Sequence, residues 1–389
     1  MLLVGETVVY RWGVISVPLS LFVDALPYNE MKANYADWQS NMQVREMIPN
    51  IAYSSSLHWQ LYCDQYPDDR GVLVDWVRQS EKNKVVRFLS TVLAPLDKMG
   101  NLGVLSKKAL CRYVMRRNAF ANIPYRFRKD FSEQGSYLFW DEKTYRAQPI
   151  FDGYTVISQD EGHRTFEVTL DMLRQAVERG DKDIFGVFGF ADALGHKCRR
   201  GEVYSDRLRP YMKELGEVIS LYREKHPEEE VLMISDHGMS TVERKVDLCL
   251  EEHFGKQKKG RYIAYCDTAV MSIWCDDPSL EQPIREYLSA HTEGHLLTED
   301  ERAYFRATDR KFGDILYILR EGNVFADNWF GKSIRKPNPD GTGMHGFWPE
   351  WEAKDQMACV VLIGSDRALQ ERYDYPAAHL LIKDVMKGS

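Results

Sequence analysis

Four short segments of the sequence carry Asp or His side chains beside an apolar run or a tight, glycine-containing loop. They are LFVDALP with Asp24, FADALGH with Asp192 and His196, ISDHGMS with Asp236 and His237, and GTGMHGFW with His345. Carboxylate oxygens and imidazole nitrogens without sulfur suit zinc or manganese in a catalytic role. Three aspartates and three histidines suffice for two such ions, which can together hold the attacking and leaving oxygens of a phosphoryl displacement. The segments therefore predict a two-metal site that attracts an anionic substrate.

The elements that must position these side chains are short apolar strands. They recur at SLFVDAL (20–26), IFGVFGF (184–190), VLMIS (231–235) and ACVVLIG (358–364), with amphipathic helical patterns between them at 170–180 and 205–226. Strands that alternate with helices predict an α/β fold with a mostly parallel sheet covered by helices on both faces. In such sheets, functional sites form at the carboxyl ends of the strands. We expect Gly238, after the Asp-His pair, to let the backbone turn away from the site.

Composition bounds the class of protein. The chain has 389 residues, of which 44% are hydrophobic and 12% aromatic, and this fits one large domain over 1–389 with insertions. The net charge of −7 argues against whole-surface binding to nucleic acid or to anionic membranes. The seven cysteines are scattered without a C-x-x-C pair, which is typical of reduced thiols in a cytosolic protein.

The N-terminal stretch WGVISVPLSLFV (12–23) has the apolarity of a signal-peptide core and follows Arg11. Glu6 stands where a signal peptide is basic, and Asp24 and Pro27 follow where small residues would mark cleavage. We therefore predict that the stretch is the first core strand and that the protein is cytoplasmic. No segment reaches the roughly 18 apolar residues of a membrane helix.

Two stretches interrupt the alternation of strands and helices. Residues 80–150 predict a helical, basic insertion, and between 81 and 130 twelve Lys or Arg residues face three Asp or Glu residues. This stretch can be a solvated helical face, or an electropositive lid that selects an anionic or lipid-linked substrate. Its interleaved aromatic residues also leave single-stranded nucleic acid open, as the less favoured partner. Residues 257–335 predict a small α+β insertion, with one strand in YIAYCDTAVMSIW, a helix in SLEQPIREYLSAH and a strand in GDILYIL.

The order and placement of the four metal-binding segments resemble the alkaline phosphatase superfamily. The most similar branch is the type I phosphodiesterase/nucleotide pyrophosphatase family, and the resemblance covers most of the chain, with 80–150 matching least well. It implies that Asp192, His196 and His345 hold one metal. It implies that Asp24, Asp236, His237 and the nucleophile's oxygen hold the other, with Zn²⁺ favoured over Mn²⁺.

The resemblance also implies a nucleophile. In that family a Thr or Ser lies four residues before a histidine and is followed by a Tyr-Pro-x-x-x-Gly turn, which here corresponds to YSSSLHWQLYCDQYPDDRG (53–71). Counting from His58 and from the turn both select Ser54, with Ser55 and Ser56 as alternatives. Coordination to a metal activates such a hydroxyl without a general base.

One position departs from the family pattern. The family's asparagine that donates to a phosphate oxygen corresponds here to Asp75, and a carboxylate would repel that oxygen. Either the backbone N–H of Ser55 makes this contact, or the substrate differs from a nucleotide diester. The departure puts the substrate in question and leaves the metal chemistry unchanged.

The resemblance implies a phosphodiesterase or nucleotide pyrophosphatase that acts on a small anionic phosphoester through a phosphoseryl intermediate. Alternatives are a phosphomonoesterase, a phosphonate or sulfate ester hydrolase or a phosphoryl transferase on the same site, and a non-catalytic protein that binds metal or a phosphorylated ligand. The sulfatase signature C/S-x-P-x-R is absent from SSSLH. The segment HTEGH (291–295) lacks the H-E-x-x-H spacing of zinc proteases, and we predict that it is an exposed loop.

Overall fold

The computed structural model describes residues 18–51, 53–115, 123–133, 139–326, 340–351 and 353–387. Several residues used in the sequence-based predictions lie outside these ranges: residues 1–17, which include Glu6, Arg11 and the start of the first apolar stretch, then Arg116, Arg117 and Phe120 of the basic stretch, and the end of the second insertion from 327 to 335.

Short strands with buried side chains build the sheets. The strands are β1 Leu19–Val23, β2 Met42–Met47, β3 Trp76–Val77, β4 Ser132–Glu133, β5 Thr155–Ser158, β6 Ile184–Phe188, β7 Val231–Ile234, β8 Ser240–Thr241, β9 Arg244–Val246, β10 Tyr262–Asp267, β11 Val270–Cys275, β12 Gly294–Leu296, β13 Ile315–Leu319, β14 Asn323–Phe325, β15 Gly343–Met344, β16 Ala358–Ile363 and β17 Arg372–Tyr373.

Seven of these strands form the central sheet, in the order β17-β2-β16-β7-β1-β6-β5. Strand β1 lies parallel to both β6 and β7, and β5 is parallel to β6. Strand β16 runs antiparallel to its neighbours β7 and β2, so six strands point one way and one points the other. The predicted mostly parallel sheet is confirmed, with the ACVVLIG segment as its antiparallel member.

Helices cover both faces of this sheet. The α-helices are α1 Tyr28–Asn34, α2 Ser54–Cys63, α3 Pro67–Arg70, α4 Lys84–Val92, α5 Gly100–Ala109, α6 Tyr125–Arg128, α7 Glu142–Tyr145, α8 Phe166–Arg179, α9 Phe190–Gly195, α10 Gly201–Lys225, α11 Leu250–Phe254, α12 Glu281–Ser289, α13 Glu299–Tyr304 and α14 Tyr375–Lys387. No helix in the described ranges is both long enough and apolar enough to cross a lipid bilayer.

Alternate side chains of β1 fill the two cores, as the period of a strand requires. Leu21 joins the core that contains residues of α8 and α10, and Phe22 joins the core that contains residues of α2 and α14. The central strands are therefore buried on both faces, which explains why their sequences are continuously apolar. The predicted layers of helices on both faces are confirmed.

A second sheet of four antiparallel strands, β10-β11-β13-β12, lies within the stretch 257–335. The single strand predicted for YIAYCDTAVMSIW is wrong, because the chain turns at Thr268 (φ 42°) and forms the hairpin β10–β11. The exposed loop predicted for HTEGH is also wrong. Its last two residues begin β12, where the His295 ring stacks on Trp348 at 3.8 Å and its Nε2 lies 2.9 Å from Glu301.

The stretch 80–150 contains the helices α4 to α7 and a π-helical turn, Leu110–Met115. The antiparallel pair β3–β4 joins residues 76–77, just before this stretch, to residues 132–133 within it. Side chains between β3 and β4, such as Phe127 and Phe131, pack in the same core as Tyr53, which immediately precedes α2. The helical content predicted for 80–150 is thus present in the described residues.

Candidate active site

The three central strands of the sheet end at one edge and present the three aspartates there. Asp24 directly follows β1, Asp236 is the second residue after β7, and Asp192 lies in the first turn of α9 after β6. Strand β1 lies between β7 and β6, so neighbouring strands deliver all three carboxylates. The backbone at Ala25 has a φ of 58°, an uncommon conformation for a residue with a side chain.

The first cluster consists of Asp24, Asp236 and His237, whose candidate ligand atoms all lie within 4.8 Å of one another. His237 Nε2 is 3.6 Å from Asp24 Oδ1 and 3.4 Å from Asp236 Oδ2. The backbone N–H groups of Ala25 and His237 donate to the other oxygen of Asp236, Oδ1, at 3.3 and 3.0 Å. These bonds fix the carboxylate and leave Oδ2 directed at the cluster.

The second cluster consists of Asp192, His196 and His345, with the same mutual approach of ligand atoms. Asp192 Oδ1 lies 3.2 Å from His196 Nε2 and 3.8 Å from His345 Nε2. The His345 ring stacks on the ring of His237 at 3.8 Å with an interplanar angle of 9°. Because His237 belongs to the first cluster, this stacking joins the two clusters into one site.

In His237 and His196, a hydrogen bond from Nδ1 to a backbone carbonyl leaves Nε2 as the nitrogen that can bind a metal. His237 Nδ1 is 2.8 Å from the Gly238 carbonyl, and His196 Nδ1 is 3.0 Å from the Gly343 carbonyl. A carbonyl accepts only, so each Nδ1 donates its proton, and in the neutral ring the lone pair is on Nε2. Metal-binding histidines commonly have this arrangement.

Ser54 is the first residue of α2, and its Oγ lies 2.9 Å from His237 Nε2. Tyr53 precedes it and its side chain does not cap the helix. The amino end of a helix carries a partial positive charge and presents backbone N–H groups that bind anions. The serine hydroxyl is therefore placed between the first cluster and a surface suited to a phosphoryl group.

Burial and the nearby charges act differently on the three carboxylates, and only Asp24 has a raised pKa, whereas those of Asp192 and Asp236 are lowered. Burial and the nearby charges of Asp236, Asp192 and Asp160 raise the pKa of Asp24 well above its usual range. Burial also acts to raise the pKa of Asp236, but the His237 and His58 rings outweigh it and the net pKa lies below the usual range. Burial, followed by His237, lowers the pKa of His345 well below its ordinary value, so this ring is neutral.

The residues fit a pair of divalent cations. Asp24 Oδ1, Asp192 Oδ1 and Asp236 Oδ2 are buried atoms that accept no hydrogen bond from the described residues. A buried anionic oxygen without a donor is costly, and a cation beside it removes both that cost and the repulsion between the carboxylates. The donor set of carboxylate and imidazole without thiolate suits zinc or manganese.

Two residues that support Asp236 were not assigned a role from the sequence. His58 Nε2 lies 3.3 Å from Asp236 Oδ2, and its ring packs edge-on against Phe22. The hydroxyl of Tyr375 donates to the Asp236 carbonyl from 139 residues further along the chain. His58 carried a usable signal, because it stands one helical turn after Ser54. Tyr375 carried none, since only tertiary structure brings α14 to the site.

The two predicted substrate-binding residues lie near Tyr53. Ser55 is the second residue of α2, and Asp75 lies just before β3. Burial raises the pKa of Tyr53, and the charges of Asp267 and Asp75 add to that effect. The Tyr53 ring in turn meets the His345 ring edge-on at 5.7 Å. Asp75 is thus on the Tyr53 side of the site and belongs to neither metal cluster.

The reason for glycine at position 238 differs from the expected one. Gly238 has no positive φ, and its N–H donates to the Gln356 carbonyl at 2.8 Å. A Cβ atom there would lie 2.1 Å from the Asp355 carbonyl oxygen. Gly238 therefore allows the segment before β16 to pass beside the Asp-His pair, and it is not needed for a turn.

The sequence matches no protein-family model and no curated protein, whereas several solved structures are similar to its fold. Human ectonucleotide pyrophosphatase/phosphodiesterase 5 superposes with a TM-score of 0.58 at 12% identity, covering 95% of this chain and 94% of that chain. The murine protein, inactive and in complex with AMP, gives 0.56 at 12% identity and 95% of both chains. Phosphonoacetate hydrolase from Sinorhizobium meliloti 1021, in complex with phosphonoformate, gives 0.59 at 10% identity, covering 95% of this chain and 96% of that chain.

The chain has an alkaline-phosphatase-like fold. The similarity extends over 95% of the chain, so the insertions are included in the aligned length. The fold that the motifs implied is confirmed.

Proposed function

We propose that this protein is a two-metal phosphoesterase in which Ser54 is the nucleophile. The observation that carries the proposal is the position of the Ser54 Oγ atom. It lies at the amino end of α2 and 2.9 Å from His237, in a site where two three-residue ligand clusters adjoin. A phosphodiesterase or pyrophosphatase activity fits this arrangement best.

Asp24, Asp236 and His237 would hold one divalent ion beside Ser54, and Asp192, His196 and His345 would hold the other. Bound there, divalent cations supply Lewis acidity, which lowers the pKa of a neighbouring hydroxyl and offsets charge on phosphoryl oxygens. Zinc is favoured over manganese because half of the donor set is imidazole, and the choice between them stays a prediction.

The protein's own groups do the positioning. The first turn of α2 fixes the Ser54 hydroxyl and directs backbone N–H groups, including that of Ser55, toward a phosphoryl oxygen. Ser54 Oγ forms a bond to phosphorus while the bond to the leaving oxygen breaks on the opposite side. Water then displaces Ser54 from phosphorus in a second step. Two in-line displacements give net retention of configuration at phosphorus.

The substrate we propose is a small anionic phosphoester. The murine relative is in complex with AMP and the bacterial relative with phosphonoformate, and both ligands are small anions with a phosphorus centre. Asp75, near Tyr53, favours a second candidate within the same chemistry. Asp75 stands where the family pattern has an asparagine that donates to a phosphate oxygen, so the second candidate is a substrate other than a nucleotide diester, such as a phosphonate or a phosphomonoester. A role of 80–150 as a lid and a cytoplasmic location stay predictions.

Metal analysis joined to a substrate panel tests the proposal. The panel is bis-nitrophenyl phosphate, nitrophenyl phosphate, nitrophenyl phenylphosphonate and nitrophenyl sulfate, each assayed with purified wild type and with Ser54→Ala. We expect about two metal ions per chain in both proteins. We expect wild type to hydrolyse the diester fastest and Ser54→Ala to lose at least about a thousandfold in kcat, because the alkoxide that attacks phosphorus is absent.

A matched variant controls for local damage to the serine loop. Ser55→Ala removes the neighbouring hydroxyl and keeps the backbone N–H, so its turnover is expected to stay within about fivefold of wild type. Wild type that contains two metals and hydrolyses none of the four esters would favour the non-catalytic alternative. Preferential hydrolysis of the phosphonate or the monoester would select the second candidate.

A further inference from the structure

Exposed apolar side chains concentrate in the helical stretch that follows β3. Twelve large apolar residues in the described part of the chain are exposed, and eight of them lie between Val85 and Val114. The other four are distributed singly over α8, α10, α13 and α14. Single exposed apolar residues are ordinary, whereas a concentration of them marks an interaction surface.

The exposed residues of α4 form a stripe along the helix. Val85, Phe88 and Val92 are exposed by 56, 67 and 55%, and their spacing of three and four residues places them on one side. Val86 and Ser90 on the opposite side are buried and pack the helix against the rest of the protein. The amphipathic helix therefore directs much of its apolar surface to solvent.

The next helix repeats this arrangement. Met99, Leu102 and Leu105, before and within α5, are exposed by 51, 51 and 62% at intervals of three residues. Gly103 on the other side packs so closely that a Cβ atom would lie 2.2 Å from the Leu96 carbonyl oxygen. We call the exposed residues of 84–114 the apolar-basic surface.

Cations without acidic partners accompany the apolar residues. Lys84, Arg87, Lys98 and Arg112 are exposed, and none forms an ion pair with a described residue. The three acidic residues between 81 and 130 are already engaged: Glu81 lies 3.4 Å from Arg128, Asp97 2.9 Å from Lys107, and Asp130 3.6 Å from Lys259. The surface is therefore strongly positive, although the chain carries a net charge of −7.

We propose that the apolar-basic surface docks on an anionic lipid membrane, with Phe88, Val92 and their neighbours inserted between headgroups and with Lys84 and Arg87 on acidic phosphates. Amphipathic helices with apolar and cationic side chains lie in the membrane interface in this way. The attachment would then be made through this surface. This inference does not depend on the reaction proposed for the metal site.

Two other occupants fit the surface less well. A second copy of this chain would need a complementary acidic and apolar face, but the remaining exposed apolar residues in the described ranges lie on four separate helices. Single-stranded RNA would need stacking platforms, but the stripe on α4 and α5 is mainly aliphatic.

Vesicle flotation tests the proposal with the full-length, metal-loaded protein. The vesicles are phosphatidylcholine alone or phosphatidylcholine with about 30% phosphatidylserine. Wild type is expected to float with the acidic vesicles and not with the neutral ones, and to be released by high salt. Phe88→Ser with Val92→Ser, and separately Lys84→Glu with Arg87→Glu, should each weaken binding at least about tenfold.

Matched controls replace residues of similar exposure elsewhere. Leu380→Ser removes an apolar side chain that is 64% exposed on α14, and Lys213→Glu with Lys383→Glu reverses two exposed charges on α10 and α14. These variants should bind as wild type does, and all variants should keep the melting temperature of wild type. Failure of wild type to float with acidic vesicles at low salt would overturn the proposal. An equal loss of vesicle binding in the control variants would also overturn it. So would substitutions on the apolar-basic surface that abolish self-association or RNA binding and leave vesicle binding unchanged.

Discussion

Ser54 and His58 stand one turn apart on α2 and reach the same cluster of ligands. Ser54 Oγ contacts His237, and His58 Nε2 lies 3.3 Å from Asp236. His58 is buried against Phe22, so its ring has little freedom to move away from the carboxylate. We therefore regard His58 as a positioning residue that holds Asp236 in the orientation that a cation needs.

This role predicts the effect of His58→Gln. The substitution removes the imidazole beside Asp236, so the affinity for one of the two metals should fall about 10- to 100-fold. Competition with a chromophoric chelator measures that affinity, and turnover should recover when metal is in excess. His253→Gln, an exposed histidine on α11, is the control. Unchanged affinity in His58→Gln would show that the contact with Asp236 is incidental.

At the scale of elements, the sequence was most informative where an apolar strand pattern ends in a residue that can bind a metal. The central strands, the helices on both faces and the strand-end position of Asp24, Asp192 and Asp236 were predicted because burial and side-chain period are local properties. The β10–β11 hairpin was missed, since a turn at Thr268 with positive φ has no glycine to mark it. Strand β12 was missed because His295 is held by Trp348 and Glu301, contacts that no local pattern reveals.

The close packing between β7 and the segment before β16 gives a prediction at this scale. Gly238→Ala places a Cβ atom 2.1 Å from the Asp355 carbonyl oxygen, so the backbone must move. We expect a loss of about 2–4 kcal/mol in the free energy of unfolding, together with weaker metal binding at the adjacent cluster. Denaturant unfolding and metal titration measure the two effects.

Gly189→Ala is the matched control for this substitution. Gly189 also follows a central strand that leads to a ligand, but nothing lies within 4 Å of a Cβ atom there and its φ is −105°. Its stability should change by less than about 1 kcal/mol. Equal effects of the two substitutions would indicate that backbone freedom, rather than close approach, is the reason for glycine at 238.

At the scale of the whole molecule, metal binding and stability are linked through the buried carboxylates. Burial and three neighbouring carboxylates raise the pKa of Asp24 in the metal-free protein, so the folded state binds a proton that the unfolded state has released. The associated stability is present below the unfolded-state pKa and is lost as the pH rises through the raised value. Asp24 by itself therefore destabilises the metal-free protein as the pH rises from acidic to neutral, whereas the lowered pKa values of Asp236 and His345 act in the opposite direction.

Asp24→Asn tests this linkage, because the difference in stability between the variant and wild type should change sign when metal is added. Without metal at neutral pH, the asparagine protein should be more stable than wild type by about 1–3 kcal/mol, because folding no longer has to protonate or bury this carboxyl group. With zinc in excess, wild type should be the more stable, since it binds the ion more tightly. Thermal melts with and without chelator measure both, and Asp37→Asn, an exposed carboxylate, is the control. Wild type that is the more stable protein under both conditions would contradict the account.

The stereochemical course at phosphorus tests the central claim, that Ser54 is the nucleophile of a two-step reaction, most directly. A diester made chiral at phosphorus with sulfur and oxygen isotopes is hydrolysed by wild type, and the configuration of the product is determined by phosphorus NMR. Attack by Ser54 followed by attack of water predicts net retention. Net inversion would show a single displacement by water and would contradict the role of Ser54.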